Sequence, residues 1–330
     1  MPIARARLLS VGSALPDRVL TNAELEGMVD TTDEWIRSRT GIRERRIVEP
    51  GTPVSALIEP ACRQCLERAD CPPETIDGVI VATMTGDHSM PATANLIQHR
   101  LGCSRAWGMD LVNACNGFVA ALATATTWIE AGRAQRLLVV GADVMSSIID
   151  YRDRNTCVLF GDGAGAVLVE AGPVDGPGVV DLRLGSDGAY GDVLCVPSSG
   201  SARPSSPERL AAGEQFVHQD GRVVFQQAVR RMCDVAQSLL SACGLSVDDV
   251  DLLVPHQANL RIIEPIARRL GLPMERVVVN LEYVANTTAA TIPLALADAQ
   301  ADGRLHDGSR LLMVAFGGGF AWGGCYATWG

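Results

Sequence analysis

Short runs of apolar residues alternate with longer stretches of helical patterning along this chain. ARLLSVGSAL (6–15) and GVIVATMT (78–85) read as strands, whereas Thr21–Val29 and ATANLIQHRLG (92–102) read as helices. That rhythm predicts an α/β protein with mixed or parallel sheets. The pattern also repeats itself. DLVNACNGF opens a helical run ending at EAGR (130–133), followed by the strand RLLVVGAD (136–143) and then VLFGDGAGAVLVE (158–170). VVVNLEYVANT opens a second such run ending at ADGR (301–304), followed by RLLMVAFGGG (310–319) and the closing strand FAWGGCYATW (320–329).

Leu137 lies 22 residues after Cys115, and Leu311 lies 25 after Asn286. Two halves with one strand–helix–strand–strand order predict a duplicated domain. The turn-rich AGPVDGPG (171–178) marks the join, which gives halves of 1–174 and 175–330. In a two-fold pseudo-symmetric molecule equivalent positions converge, so Cys115 and Asn286 are expected to be neighbours. One segment breaks the rhythm. SSGSARPSSPERLAAGEQ (198–215) has no apolar periodicity and reads as a surface loop, lying over a site mouth or simply exposed.

Composition narrows this picture. The 330 residues are 47% apolar and 20% charged, as in an ordinary globular protein; 33 glycines with only 5% aromatics favour tight α/β packing over a sandwich. A formal charge of −10 argues against nucleic acid or an anionic membrane as partner, and an acidic partner would need a local basic patch. No apolar run reaches the roughly 18 residues of a membrane span. The apolar part of the first residues is too short for a secretory signal. The ten cysteines are scattered, so they read as free thiols in a reducing compartment, and a cytoplasmic location is expected.

Four elements carry candidate chemistry. Cys115 sits where MDLV meets a helix of small residues, GFVAALATATTWIEAG; free N–H groups and the macrodipole there would favour a thiolate able to attack a thioester. A lone cysteine is more often a buried structural thiol. His256 in VPHQANLRII follows the strand DLLV and precedes an amphipathic helix, a position shared by site residues and by structural histidines. Asn286 in ANTTAAT is by itself a good N-cap. The glycines of FGGGF (316–320) allow close backbone approach and can aim an N–H at a reacting oxygen. Their joint order carries the case.

CNGF, VPHQANLRII, ANTTAAT and FGGGF in this order resemble the β-ketoacyl-(acyl carrier protein) synthase III family of the thiolase superfamily. TTDEWIRSRTGIRERRI (31–47) and LFGDGAGAVLVE (159–170) extend the resemblance to nearly the whole chain. It implies a thiolase-like duplicated fold, two pseudo-symmetric halves in layered α/β/α/β/α arrangement. It also implies a two-stage reaction with no cofactor and no metal. Cys115 takes an acyl group from acyl-CoA; a malonyl thioester on the carrier protein then loses CO₂, and its carbanion attacks the acyl-cysteine. His256 and Asn286 would donate to the malonyl thioester oxygen, which needs fixed donors. The N–H groups of Cys115 and Gly318 would form an oxyanion hole, and Phe316 would help to exclude water.

Other positions come from the resemblance one at a time. Trp35 and Arg154 match an adenine sandwich, Arg39 a phosphate contact, and Asn259 the pantetheine tunnel, with Thr31 beside them. Arg261, Arg268 and Arg269 match a basic patch for the acidic carrier protein; without the resemblance they are a solvated helix face. Met90 matches a position that closes the acyl pocket from the partner subunit, so a homodimer is expected. The sequence departs from the family at Asn116, where Ala or Ser is usual, at Ala285 and Asn155, where glycine is usual, and at Met90, often Phe. These departures leave acyl-chain length open, and with it membership of a specialised secondary-metabolite branch.

Two other readings compete. Acyl transfer without decarboxylation would have no carbanion for His256 and Asn286 to stabilise. A metal or redox module is hinted at by CRQCLERADC (62–71), but one Cys-x₂-Cys pair plus a third cysteine is an incomplete ligand set.

Overall fold

A computed structural model describes residues 3–330. The first half opens with β1 (Arg5–Ala14) and a small antiparallel pair, β2 (Val19–Thr21) with β3 (Glu44–Arg46), which encloses helices α1 (Asn22–Glu26) and α2 (Asp33–Thr40). It continues through α3 (Ser55–Arg68), β4 (Gly78–Ala82), α4 (Thr93–Leu101) and β5 (Trp107–Leu111). Next come α5 (Gly117–Glu130), β6 (Arg136–Asp143), α6 (Arg154–Cys157) and β7 (Gly163–Gly172). The second half holds β8 (Gly178–Ser186), β9 (Leu194–Cys195), α7 (Pro207–Ala211), β10 (His218–Gln219) and α8 (Gly221–Ala242). It closes with β11 (Leu252–Pro255), α9 (Leu260–Leu270), α10 (Leu281–Val284), α11 (Thr291–Ala301), β12 (Arg310–Gly317) and β13 (Ala321–Thr328).

Two mixed sheets result. One has the order β1-β7-β6-β4-β5, the other β11-β12-β13-β8. Parallel pairing of β4 with β6 followed by antiparallel β6–β7 is echoed by parallel β11–β12 and antiparallel β12–β13. The first sheet ends its last strand at Gly172, and the second begins at Gly178.

Burial explains why these strands read as unbroken apolar runs. In β6, Leu137 and Val139 face one apolar cluster while Leu138, Val140 and Ala142 face another, so both faces are covered. The cluster between the sheets is built on α5 and α11, with Phe118, Leu122, Ile292 and Leu296 meeting strand residues from both sides. Helices α3 and α4 cover the outer face of the first sheet, and α8 and α9 that of the second. The layers are α/β/α/β/α, a thiolase-like fold. Helix α11 is buried nearly all round, which a central layer demands. Close approach in that layer needs glycine at 141: a Cβ there would overlap the carbonyl oxygen of Ala289.

The 198–215 segment is mostly exposed and carries one short helix, because Ser206 caps the N-terminus of α7 and Pro207 starts it. Arg203 also pairs with Glu214 across it at 2.7 Å. Asn286 does not start the second-half helix. A 3₁₀ turn, Thr288–Ala290, intervenes before α11. Cys62 and Cys65 are packed in the apolar core under the first sheet, and all ten cysteines are free. Among the described residues no helix is long and apolar enough to cross a membrane.

Candidate active site

Cys115 lies in a single 3₁₀ turn, Ala114–Asn116, that leads into α5. Ala114 holds a φ of 45°, a left-handed conformation costly for a residue with a Cβ. Asn113 and Asn116 brace this turn from its two ends. The Asn116 backbone N–H donates to the Asn113 carbonyl at 3.1 Å, and its side-chain amide donates to the Asn113 side-chain oxygen at 2.9 Å. Opposite the turn runs the end of β12. A Cβ on Gly317 would lie 2.6 Å from the Cys115 nitrogen, so only glycine lets the strand approach there. Gly318, the expected oxyanion partner, lies one residue further on, where a Cβ would lie 2.8 Å from the Leu194 carbonyl oxygen.

Electrostatics correct one expectation about the nucleophile. Burial pushes the Cys115 thiol up to about 12, and the nearby Asp143 carboxylate acts in the same direction. A backbone hydrogen bond at Cys115 acts the other way and is the smallest of the three influences. The resting residue is a thiol, not the thiolate expected from the sequence.

His256 continues from β11, its N–H donating to the Val314 carbonyl of β12 at 2.8 Å. The ring is buried, and desolvation depresses its pKa to about 3, so it is neutral. Nδ1 lies 2.7 Å from the Thr291 hydroxyl. Asn286 is held by its backbone, with its N–H on the Leu159 carbonyl and its carbonyl receiving the Gly161 N–H, both at 3.0 Å. Its side-chain oxygen accepts the Thr288 N–H at 2.9 Å, which leaves the amide NH₂ to donate. A neutral imidazole and a carboxamide are donors that bring no charge of their own, suited to an oxygen that gains charge during reaction.

Cys115, His256, Asn286 and Phe316 line one cavity of about 680 Å³, shared with the half-exposed Trp35 and the exposed Arg39, Arg154 and Arg261. It therefore runs from solvent to the buried cysteine. Phe316 packs against Phe320 with ring centroids 4.8 Å apart, and Phe320 stacks on Tyr190. Asn259 lines the cavity and caps α9, accepting the Arg261 N–H at 2.8 Å. Arg154 lies over Trp35 at 5.3 Å, with its guanidinium on the Asp30 carbonyl at 2.7 Å. A purine between two flat groups needs about 7 Å, two contact distances. The expected sandwich is closed, and Arg154 must move to admit one.

Comparison with known proteins decides what this arrangement belongs to. Residues 109–188 match the family described as 3-oxoacyl-[acyl-carrier-protein (ACP)] synthase III, and residues 240–329 match its C-terminal part. A β-ketoacyl-[acyl-carrier-protein] synthase III of Roseiflexus sp. (strain RS-1) is 49% identical over 98% of this chain and 98% of its own. The chain belongs to the β-ketoacyl-[acyl-carrier-protein] synthase III family. A synthase III structure from Thermus thermophilus is 43% identical with a TM-score of 0.90, covering 98% of this chain and 99% of that one. The priming β-ketosynthase of the R1128 polyketide biosynthetic pathway is 38% identical with a TM-score of 0.91, covering 100% and 98%.

As a synthase III the chain is a condensing acyltransferase. Within it, some expected positions stand outside the cavity. Met90 is 85% exposed on the loop between β4 and α4. Arg268 and Arg269 are exposed in the last turn of α9, and Thr31 stands beside Asp30, the contact of Arg154, without lining the cavity. Other contributors escaped the sequence reading. Asp143, fully buried at the end of β6, accepts from Thr83, the backbone and hydroxyl of Thr85, the Met84 N–H and the Thr288 hydroxyl. It thereby anchors the segment after Asn286. A carboxylate ending an otherwise apolar strand was the available signal.

Proposed function

We propose that this synthase III joins an acyl group from acyl-CoA to a malonyl thioester carried on acyl carrier protein, releasing CO₂ and CoA. The observation that carries the reading is the convergence of Cys115, His256 and Asn286 on one cavity reaching the surface. The Cys115 sulfur attacks the acyl-CoA carbonyl, its proton leaves with the CoA thiolate, and an acyl-cysteine remains. The tetrahedral oxyanion is held by backbone N–H groups at Cys115 and Gly318. Malonyl thioester then loses CO₂, and the electron pair of the broken C–C bond becomes an enolate whose oxygen accepts from His256 and Asn286. The enolate carbon bonds to the acyl carbonyl and expels the Cys115 thiolate, which takes up a proton. Phe316 and the aromatic stack behind it keep water from the acyl-cysteine.

In this reading Trp35, Arg39, Arg154, Asn259 and Thr31 receive CoA. Arg261, Arg268 and Arg269 give an acidic carrier protein a local basic face on a chain of net charge −10. Exposure of Met90 supports its reaching the acyl pocket of a second copy in a homodimer. The chain divides into halves 1–174 and 175–330, needs no cofactor and works in the cytoplasm. The likeness to the R1128 priming ketosynthase, together with Asn116 and Ala285, supports a second reading, a specialised secondary-metabolite condensation on the same site.

Mass spectrometry after exposure to a panel of acyl-CoAs tests the first stage. Cys115 should gain the acyl mass, Cys115→Ser should not, and the accepted chain lengths separate the two readings. CO₂ release from malonyl-carrier protein tests the second stage. His256→Ala should acylate and fail to condense, and release of no CO₂ with any acyl donor would remove the condensing function.

A further inference from the structure

The donor role proposed for His256 requires its proton on the nitrogen that faces substrate, and Thr291 is the group that decides this. Nδ1 of His256 lies 2.7 Å from the Thr291 Oγ, and no other side-chain hydrogen bond is made by this ring among the described residues. Whatever Nδ1 does, Nε2 does the opposite in a neutral ring. Burial keeps the ring neutral, so a doubly protonated form does not relieve the choice.

The Thr291 hydroxyl has one proton and two acceptors within reach. One is Nδ1; the other is the Thr288 carbonyl at 3.0 Å. If the proton goes to the carbonyl, Nδ1 must carry its own hydrogen and Nε2 presents a bare lone pair. A lone pair cannot stabilise an enolate oxygen. If the proton goes to Nδ1, then Nε2 carries the hydrogen and donates. The Thr288 carbonyl already receives the backbone N–H of Thr291, so it is not orphaned when the hydroxyl turns away. The 2.7 Å contact satisfies Nδ1 in either direction, so it is the donor role required of Nε2 that selects the hydroxyl as donor.

We propose that Thr291 is a positioning residue that donates its hydroxyl proton to Nδ1 of His256 and so holds the ring as the Nε2–H tautomer. This rests on the condensing role of His256. The placement of Thr291 is itself secured. It opens α11 and is fully buried, and the turn before it is anchored by the Thr288 hydroxyl on the Asp143 carboxylate. A hydroxyl rather than a charged group suits the task, because a carboxylate there would favour the imidazolium or hold a proton on Nδ1.

The test separates this inference from the reading it rests on. Nitrogen-15 spectra of the full chain with labelled histidine, assigned by loss of the His256 signal in His256→Gln, should show Nε2 protonated and Nδ1 unprotonated. Thr291→Val keeps the shape and removes the proton. It should acylate Cys115 within about twofold of the parent while condensation falls about 10–100-fold, the range for losing a group that orients a functional histidine. Thr291→Ser should restore condensation and the parent spectrum. A parent spectrum with the proton on Nδ1 overturns the inference, whatever the variants do. So does Thr291→Val condensing at the parent rate while His256→Ala does not. Normal condensation by His256→Ala would instead remove the reading beneath it.

Discussion

Asn286 and Phe160 form an isolated parallel β-bridge that ties the second half of the chain to the first. Its two bonds run from the Asn286 N–H to the Leu159 carbonyl and from the Gly161 N–H to the Asn286 carbonyl. Asn286 is thus held by backbone, which frees its side chain. That grip has a local cost, because Ala285 immediately before it is held at φ 62° and ψ −160°, a region almost confined to glycine. With Ala114 at 45° and Thr288 at 53°, three of the five non-glycine residues with positive φ among the described residues flank Cys115 or Asn286. Backbone strain is concentrated at the site.

Ala285→Gly should therefore stabilise the protein. Relief of strain is worth about 1–3 kcal/mol, against about 0.5–1 kcal/mol for the extra freedom of glycine in the unfolded chain. A denaturant midpoint that rises at unchanged slope is the expected result. A lowered midpoint would mean the backbone at 285 is not strained.

Alkylation of Cys115 should climb steeply with pH. With the thiol pushed up to about 12, the thiolate fraction grows about tenfold per pH unit from 6 to 9 and shows no plateau in that window. Iodoacetamide labelling followed by peptide mass spectrometry measures it. A plateau near pH 7 would restore the thiolate that the helix start alone implies.

His256 should add an acid limb to the stability curve. Its pKa is 6.5 when free and about 3 when folded, so the unfolded chain takes the proton first as pH falls. The contribution is complete above pH 6.5 and is lost progressively toward pH 3, about 2 kcal/mol by pH 5. Unfolding free energies at several pH values for the parent and for His256→Gln should differ in slope across that window. Parallel curves would show the ring is not buried neutral.

Trp35 should matter for the nucleotide end of CoA and not for chemistry. Trp35→Ala is expected to raise KM for acyl-CoA by about tenfold, the worth of one aromatic or cation–π face. Acylation by an acyl-pantetheine lacking the nucleotide should be unchanged. An equal loss with both donors would show that Trp35 serves packing of α2 instead.

The α/β class, the duplicated order of elements and the three residues converging on the cavity were all legible in the chain. The class rests on apolar runs of strand and helix length, the pairing of Cys115 with Asn286 on the repeated order of elements, and the inclusion of His256 on the resemblance carried by the joint order of the motifs. Tertiary structure decided what depends on groups far apart in sequence. Whether Cys115 rests as thiol or thiolate depends on burial beneath layers drawn from both halves and on Asp143, 28 residues away. Which nitrogen of His256 carries the proton depends on Thr291, 35 residues on. Within FGGGF it is the missing Cβ of Gly317 that lets β12 close on the Cys115 nitrogen, a spacing that strand register sets and composition does not. Residue type and local pattern state what chemistry a chain can perform; desolvation and hydrogen-bond partners, which exist only after packing, set the protonation state in which it begins.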